Sequence, residues 1–171
     1  MTALRGRAWK FGEGISTDQI APGRYFHLRS NLPELAKHVL EDARADFAPR
    51  VRAGDFIVAG RNFGLGSSRE HAPLIIKMVG VSAVLAKSFA RIFYRNAINI
   101  GLPAIMCDTE QIEDGDLIEV DLAQGTVLNI TRDRKMTFPP LPDIMRDILE
   151  EGGLVKYIVK HGDLVISGQR P

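Results

Sequence analysis

The sequence predicts an α/β fold with a mixed sheet and flanking helices, and three observations carry that prediction. Short apolar runs alternate with segments of helical periodicity between Phe56 and Met106, the succession expected of parallel strands joined by crossover helices. Glycine and proline punctuate those segments at Gly80, Gly101 and Pro103. Beyond Asp116 the pattern changes to two apolar stretches around Ala123-Gln124-Gly125, which reads as an antiparallel hairpin.

Taken in order, Lys10 to Gly14 reads as a strand end and turn, followed by Ile15 to Ile20 and a break at Pro22-Gly23. Leu32 to Ala43 is predicted helical, with Leu32, Leu35, Ala36, Val39 and Leu40 on one stripe. Phe56-Ile57-Val58-Ala59 reads as a buried strand after Gly54-Asp55. A helix over Leu74 to Val79 stops near Gly80, and Val81 to Ala86 is a second buried strand. Ala90, Phe93, Tyr94, Ala97 and Ile98 then fall at helical spacing, and Leu102 to Met106 is a further short strand. Asp116–Leu122 and Thr126–Thr131 form the hairpin; Pro142–Glu151 is helical with Ile144, Ile148 and Leu149 inward. Leu154 to Val159 is apolar and fits helix or strand. There is no internal repeat or long linker, so one domain over residues 1–171 is expected.

Composition narrows the function. The chain is 171 residues long, 45% hydrophobic and 25% charged, with net charge +1. Neither sign of charge dominates, which argues against nucleic acid or an anionic membrane as partner. No run approaches the ~18 apolar residues of a membrane helix, and no apolar core follows Arg5 and Arg7 as in a secretory signal. A single cysteine, Cys107, excludes an internal disulfide and a cysteine-only zinc or iron–sulfur site, and reads as a small buried hydrophobe at a strand end. The four histidines have no metal-ligand spacing. A reducing cytoplasm is the expected compartment.

The chemistry is concentrated in Gly60-Arg61-Asn62-Phe63-Gly64-Leu65-Gly66-Ser67-Ser68-Arg69-Glu70-His71-Ala72-Pro73. Glycines let backbone N–H groups approach a ligand, serines offer a hydroxyl that can exchange a proton, and an arginine fork matches a carboxylate. Ser67 and Glu70 also fit a helix capping box. That register would put Pro73 beyond the first turn, where it breaks the ladder. A helix beginning at Glu70 to Ala72 tolerates Pro73 and leaves Ser67 and Ser68 in the preceding loop, facing an anion at the helix start. The missing lysine argues against a phosphate-binding loop, and the absence of Gly-X-Ser-X-Gly against a hydrolase elbow.

The stretch Asn62 to Pro73 closely resembles the signature of the small subunits of 3-isopropylmalate dehydratase and homoaconitase. Lys10 to Ile20 resembles the N-terminal segment of that family and Ala86 to Pro103 its central helix, so the resemblance runs in order from Trp9 to His161. It implies the β/β/α swivelling domain of the aconitase type, made as a separate subunit. It implies a large partner subunit that carries a [4Fe–4S] cluster on three cysteines, and a reaction that moves a hydroxyl to the neighbouring carbon of a 2-hydroxy di- or tricarboxylic acid by dehydration and rehydration, as in leucine biosynthesis. By position, Ser67 corresponds to the base that takes the carbon-bound proton, Ser68 to the serine beside it in the anion pocket, and Arg69 to a carboxylate clamp. Asp18 corresponds to an active-site aspartate of the wider aconitase family, expected to orient a catalytic group across the subunit boundary. Outside the resemblance, Asp18 reads as a turn residue bonding its own backbone. Glu70 reads as a helix cap or partner of Arg69, His71 as a satisfied histidine, and Asn96 and Asn99 as bonded to nearby backbone. Arg91 and Arg95, a turn apart, either pair with acids at the interface or form a solvated face, the solvated or structural role being favoured.

Two departures from the family pattern stand out. Leu65 replaces a cysteine found in many relatives, at a position that is not a cluster ligand. The stretch Arg24-Tyr25-Phe26-His27-Leu28-Arg29-Ser30 carries an extra residue in the loop that reads the substrate, so either Arg29 or His27 fills the specificity position, with Arg29 favoured. An arginine there suits a distal carboxylate and an apolar residue an isopropyl group; outside the family, Arg29 is equally a surface charge. Isopropylmalate, homocitrate-type and dimethylmalate-type acids all remain open. The alternative of another class is a non-catalytic anion-binding or scaffolding module.

Overall fold

A computed structural model describes residues 3–162, so both ends of the unit expected over residues 1–171 lie outside the described residues. Seven strands form one mixed sheet in the order β4-β3-β2-β1-β5-β6-β7. The chain runs through β1 (Leu4–Lys10), α1 (Thr17–Ile20), a 3-10 turn (Gly23–Leu28), α2 (Leu32–Ala36), α3 (Phe47–Arg50), β2 (Phe56–Ala59) and α4 (His71–Met78). It continues through β3 (Ala83–Ala86), α5 (Arg91–Asn99), β4 (Ala104–Met106), a 3-10 turn (Thr109–Gln111), β5 (Leu117–Asp121), β6 (Thr126–Asn129), β7 (Arg134–Thr137), α6 (Asp143–Glu150) and α7 (Leu154–His161). Among the described residues no helix is long and apolar enough to cross a membrane.

β1 to β4 are parallel neighbours, and β1 also pairs antiparallel with β5, which begins an antiparallel meander through β6 and β7. β1 therefore joins the two halves, Ala8–Lys10 facing β2 and Leu4–Arg7 facing β5. The sequence periodicity does not isolate it, because arginine and glycine interrupt its apolar positions. The third meander strand, Arg134–Thr137, is likewise unforeseen: only Met136 of its four residues is buried.

β2 and β3 are buried on both faces, which is why they read as continuous apolar runs. Ile57, Ala59, Val84 and Ala86 pack under α1, α2, α4 and α5 with Ile20, Leu35, Ile75, Ile76 and Phe93. Phe56, Val58, Ala83 and Leu85 pack with Ile118, Val120, Val127 and Met136 from the meander. A flat sheet in this strand order would hold β2 and β3 away from β6 and β7, so the sheet curls until the meander covers its own second face.

One predicted helix is shorter than expected. The stripe over Leu32–Ala43 stops as a helix at Ala36; Lys37, His38 and Val39 donate to carbonyls three residues back, and Leu40 is left-handed at φ 55°. The tighter path places Leu35, Val39 and Leu40 all in the core and gives the Leu40 N–H to the Ile20 carbonyl, 3.1 Å away. Burial and one long-range hydrogen bond outweigh the ~1 kcal/mol cost of the left-handed residue. The ambiguous Leu154–Val159 stretch is helical.

The loop after β2 is held from three sides. Gly14 donates to the Arg61 carbonyl, Gly64 to that of Ile15 at 2.7 Å, and Thr17 to that of Leu65 at 2.9 Å. Phe63 and Phe89 form a parallel bridge, and Phe63 packs edge-on against both Phe89 and Phe93. Gly64 is left-handed at φ 82°, and a Cβ there would collide with the Phe93 ring. Gly64→Ala combines backbone strain with overpacking and should lower unfolding stability by about 3 kcal/mol. Urea denaturation measures it; a loss under about 0.5 kcal/mol would contradict the packing described.

Candidate active site

α4 begins at His71 with Glu70 at its N-cap, so Pro73 lies in the first turn and needs no ladder partner. The Ser67–Glu70 capping box does not form, and no side chain caps this helix. Ser67 and Ser68 instead lie in the loop before it, exposed, while Ala72, Pro73, Ile75 and Ile76 on the helix are buried. The buried stripe anchors the helix, and the loop ahead of it carries the polar groups outward.

Arg69 ties the loop to the N-terminal segment. Its Nη1 donates to the Ala21 carbonyl at 2.6 Å, its Nη2 pairs with Asp18 Oδ1 at 3.2 Å, and its Nε–H points at Ser67 Oγ, 3.3 Å away. A guanidinium beside a hydroxyl favours the ionised oxygen. Thr17 Oγ1 donates to the Ser67 carbonyl at 2.9 Å and fixes the backbone of the same residue. Ser67, Arg69 and Asp18, far apart in sequence, thus form one connected group.

Asp18 lies in the first turn of α1. That helix starts with a closed capping box, Ser16 Oγ accepting from the Gln19 N–H and Gln19 Oε1 from the Ser16 N–H. Asp18 Oδ1 accepts from the Gly23 N–H at 3.0 Å as well as pairing with Arg69. The turn-forming contact expected of Asp18 is present, and the same carboxylate pairs with an arginine of its own chain.

The loop and α5 face each other across a cleft of about 310 Å³, with Ser67, Ser68 and Arg69 on one wall and Arg91, Ile92 and Asn96 on the other. Asn96 and Asn99 do not hydrogen-bond nearby backbone through their side chains, contrary to expectation; Asn96 turns to the cleft. Glu70 does not partner Arg69, because Asp18 does. The α5 wall was the part of the site that the sequence did not disclose. An exposed arginine at the start of an amphipathic helix reads as a solvated charge until the partner loop is in place.

In the Arg24–Ser30 stretch, Arg24 is committed to Asp42 and Glu41 and stacks on Tyr25. Hydrogen bonding to Asp42 first, then to Tyr25, raises its pKa further. Arg29 ends the 3-10 turn exposed, its guanidinium 4.1 Å above the Phe26 ring and donating to the Phe26 carbonyl at 3.2 Å. His27 is exposed in the same turn. Neither Arg29 nor His27 lines the cleft. At His71, burial first, then the charges of Arg69 and Arg29, push the pKa down. The ring of His71 makes no hydrogen bond among the described residues, so it is half-buried rather than satisfied.

Cys107 follows β4 half-buried, and burial with the nearby Asp108 pushes its thiol up to about 12, so it is a thiol and not a ligand-ready thiolate at neutral pH. Among the described residues there is no group of three or more His, Cys, Asp or Glu that could hold a metal ion. The residues present do not fit an iron–sulfur cluster.

Comparison with known proteins gives a consistent set of likenesses. A family model of the aconitase C-terminal domain matches residues 29–110. The 3-isopropylmalate dehydratase small subunit 2 of Archaeoglobus fulgidus is 65% identical over 161 residues, covering 94% of this chain and 98% of that one. The methanogen homoaconitase small subunit of Methanothermobacter thermautotrophicus is 54% identical over 165 residues, covering 96% of each. The crystal structure of 3-isopropylmalate dehydratase from Methanocaldococcus jannaschii superposes with a TM-score of 0.90 at 45% identity, covering 94% of this chain and 96% of that one.

The His71 environment sets a pH dependence. Its folded pKa lies below the ordinary 6.5, so the unfolded chain binds the proton more readily. Its contribution to stability is complete above about pH 6.5 and is lost as pH falls below that value toward the lower folded pKa. The urea midpoint should fall between pH 7 and pH 5, and His71→Gln should flatten that slope. An unchanged slope in the variant would show that His71 is not the titrating group.

Proposed function

The chain belongs to the family of 3-isopropylmalate dehydratase small subunits, and we propose from this that it works as the small subunit of a heteromeric hydro-lyase. The substrate is a 2-hydroxy di- or tricarboxylic acid, isomerised by loss and re-addition of water, in leucine biosynthesis when that acid is isopropylmalate. The observation that carries the reading is the exposed Ser67 hydroxyl with a guanidinium Nε 3.3 Å away, in a loop fixed by Thr17.

In this reading Ser67 Oγ, held as an alkoxide by Arg69, takes the carbon-bound proton, and the adjacent carbon gives up its hydroxyl as water. Returning the proton and water with the positions exchanged completes the isomerisation. Asp18 holds the Arg69 fork in line with Ser67, and Ser68 offers a hydroxyl to the substrate anion. A carbon acid of this kind is weak, so the carboxylate beside the departing proton must be met by cations. A [4Fe–4S] cluster held by the large subunit would supply the Lewis acid for the departing hydroxyl; this chain supplies the base and the anion-binding groups.

The substrate reading turns on Arg29. The homoaconitase relative and the isopropylmalate dehydratase relatives are both more than half identical to this chain, so overall similarity does not separate them. A cation at the end of the 3-10 turn suits a distal carboxylate, whereas Phe26 beneath it offers an apolar surface.

Anaerobic reconstitution with the large subunit tests the assignment. The complex should turn over, and the small chain alone should not. Ser67→Ala should reduce kcat by at least about 100-fold while the two chains still co-purify; near-normal turnover would remove Ser67 as the base. A substrate panel then tests the loop: Arg29→Val should lower kcat/KM for a tricarboxylic hydroxy acid by about 10-fold or more relative to isopropylmalate. Equal effects on both acids would remove Arg29 as a specificity determinant.

A further inference from the structure

We propose that Arg91 is a second carboxylate-binding residue of the cleft, gripping the substrate from the wall that faces Arg69; this rests on reading the cleft as a hydroxy-polycarboxylate site. Arg69 is neutralised in part by Asp18 at 3.2 Å, and its donors are also engaged by the Ala21 carbonyl and Ser67 Oγ. Arg24 is spent on Asp42 and Glu41. Arg29 is laid on Phe26 and bonded to its carbonyl. Arg91 lines the cleft, is exposed, and makes no hydrogen bond or ion pair among the described residues.

An acid with two or three carboxylates presents more negative charge than one half-compensated guanidinium can meet. Arg91 is the cleft-lining cation without a counter-charge of its own, and its five N–H donors are all available for a two-pronged grip. Its backbone is also held in register with the catalytic loop. The Ala90 N–H donates to the Phe63 carbonyl at 3.0 Å, the Phe63 N–H to the Ser88 carbonyl at 3.1 Å, and the Asn62 N–H to Ser88 Oγ at 2.9 Å. A cation carried on the same hydrogen-bonded frame as Ser67 keeps its distance from the base and can orient the acid for proton removal. Beside it Ile92, 51% exposed, gives the same wall an apolar surface. A carboxylate and an aliphatic substituent can therefore lie along one face of α5.

The test uses the complex with the large subunit and steady-state kinetics on isopropylmalate. Arg91→Gln should raise KM by about 10- to 100-fold with a smaller change in kcat and unchanged co-purification of the two chains. Arg91→Lys should recover part of the loss. Arg95→Gln, one turn further along α5 and outside the cleft, should stay within about twofold of the parent. An unaltered KM in Arg91→Gln with an active parent complex overturns the role of Arg91 alone. So does loss of co-purification with KM unaltered in the complex that remains, which would make Arg91 a subunit contact. A parent complex with no turnover overturns the reading of the cleft and the Arg91 assignment together.

Discussion

The site depends on a short stretch of backbone pairing between the segment after β1 and the loop after β2. Three hydrogen bonds, from Gly14, Gly64 and Thr17, lay residues 14–17 alongside residues 61–65, and the Thr17 hydroxyl extends the contact to Ser67. On its other side the loop pairs through Phe63 with Ser88 and Ala90. The pairing satisfies backbone groups that would otherwise be stranded at the edge of the core, and so fixes where the loop leaves the protein. Ser67 is exposed because the residues before it are tied down.

That frame has a second side. Phe63 enters the core and brings Phe89 and Phe93 with it, so the start of α5 is set by the same loop that carries the serines. Gly64 is required where the loop passes the Phe93 ring. The two walls of the cleft are therefore parts of one packed unit, and the separation of Ser67 from Arg91 is a consequence of core packing. The curled sheet supports this from below: the two-faced burial of β2 and β3 fixes the ends from which both walls spring.

The donor chemistry of this chain is that of anions and protons. A half-buried thiol with a raised pKa and scattered histidines give this chain no means of holding a metal cluster among its described residues. What it presents is an exposed hydroxyl, an oriented guanidinium and a cationic rim. Those are groups that can hold an anion and exchange a proton.

The sequence by itself determined much of this. Continuous apolar runs identified β2, β3 and β4 because two-sided burial leaves no polar position to confuse the reading. Pro73 decided the register of α4, since a proline fits only the first turn, and so placed Ser67 and Ser68 outside the helix. The order of motifs identified the family. Tertiary structure decided the rest. The partner of Arg69 could have been Glu70, its neighbour, and is Asp18, because α1 is carried to the loop by pairing that no local pattern encodes. The Leu32–Ala43 stripe has the period of one helix, yet the Ile20 carbonyl and the core draw it into a turn at Leu40. Arg91 reads as a solvated charge and Asn96 as bonded to nearby backbone until Phe63 and Phe93 bring α5 against the loop. Local sequence records which side chains favour which backbone; it does not record which distant segment will supply a charge or a hydrogen bond, because that energy exists only once the chain has closed on itself.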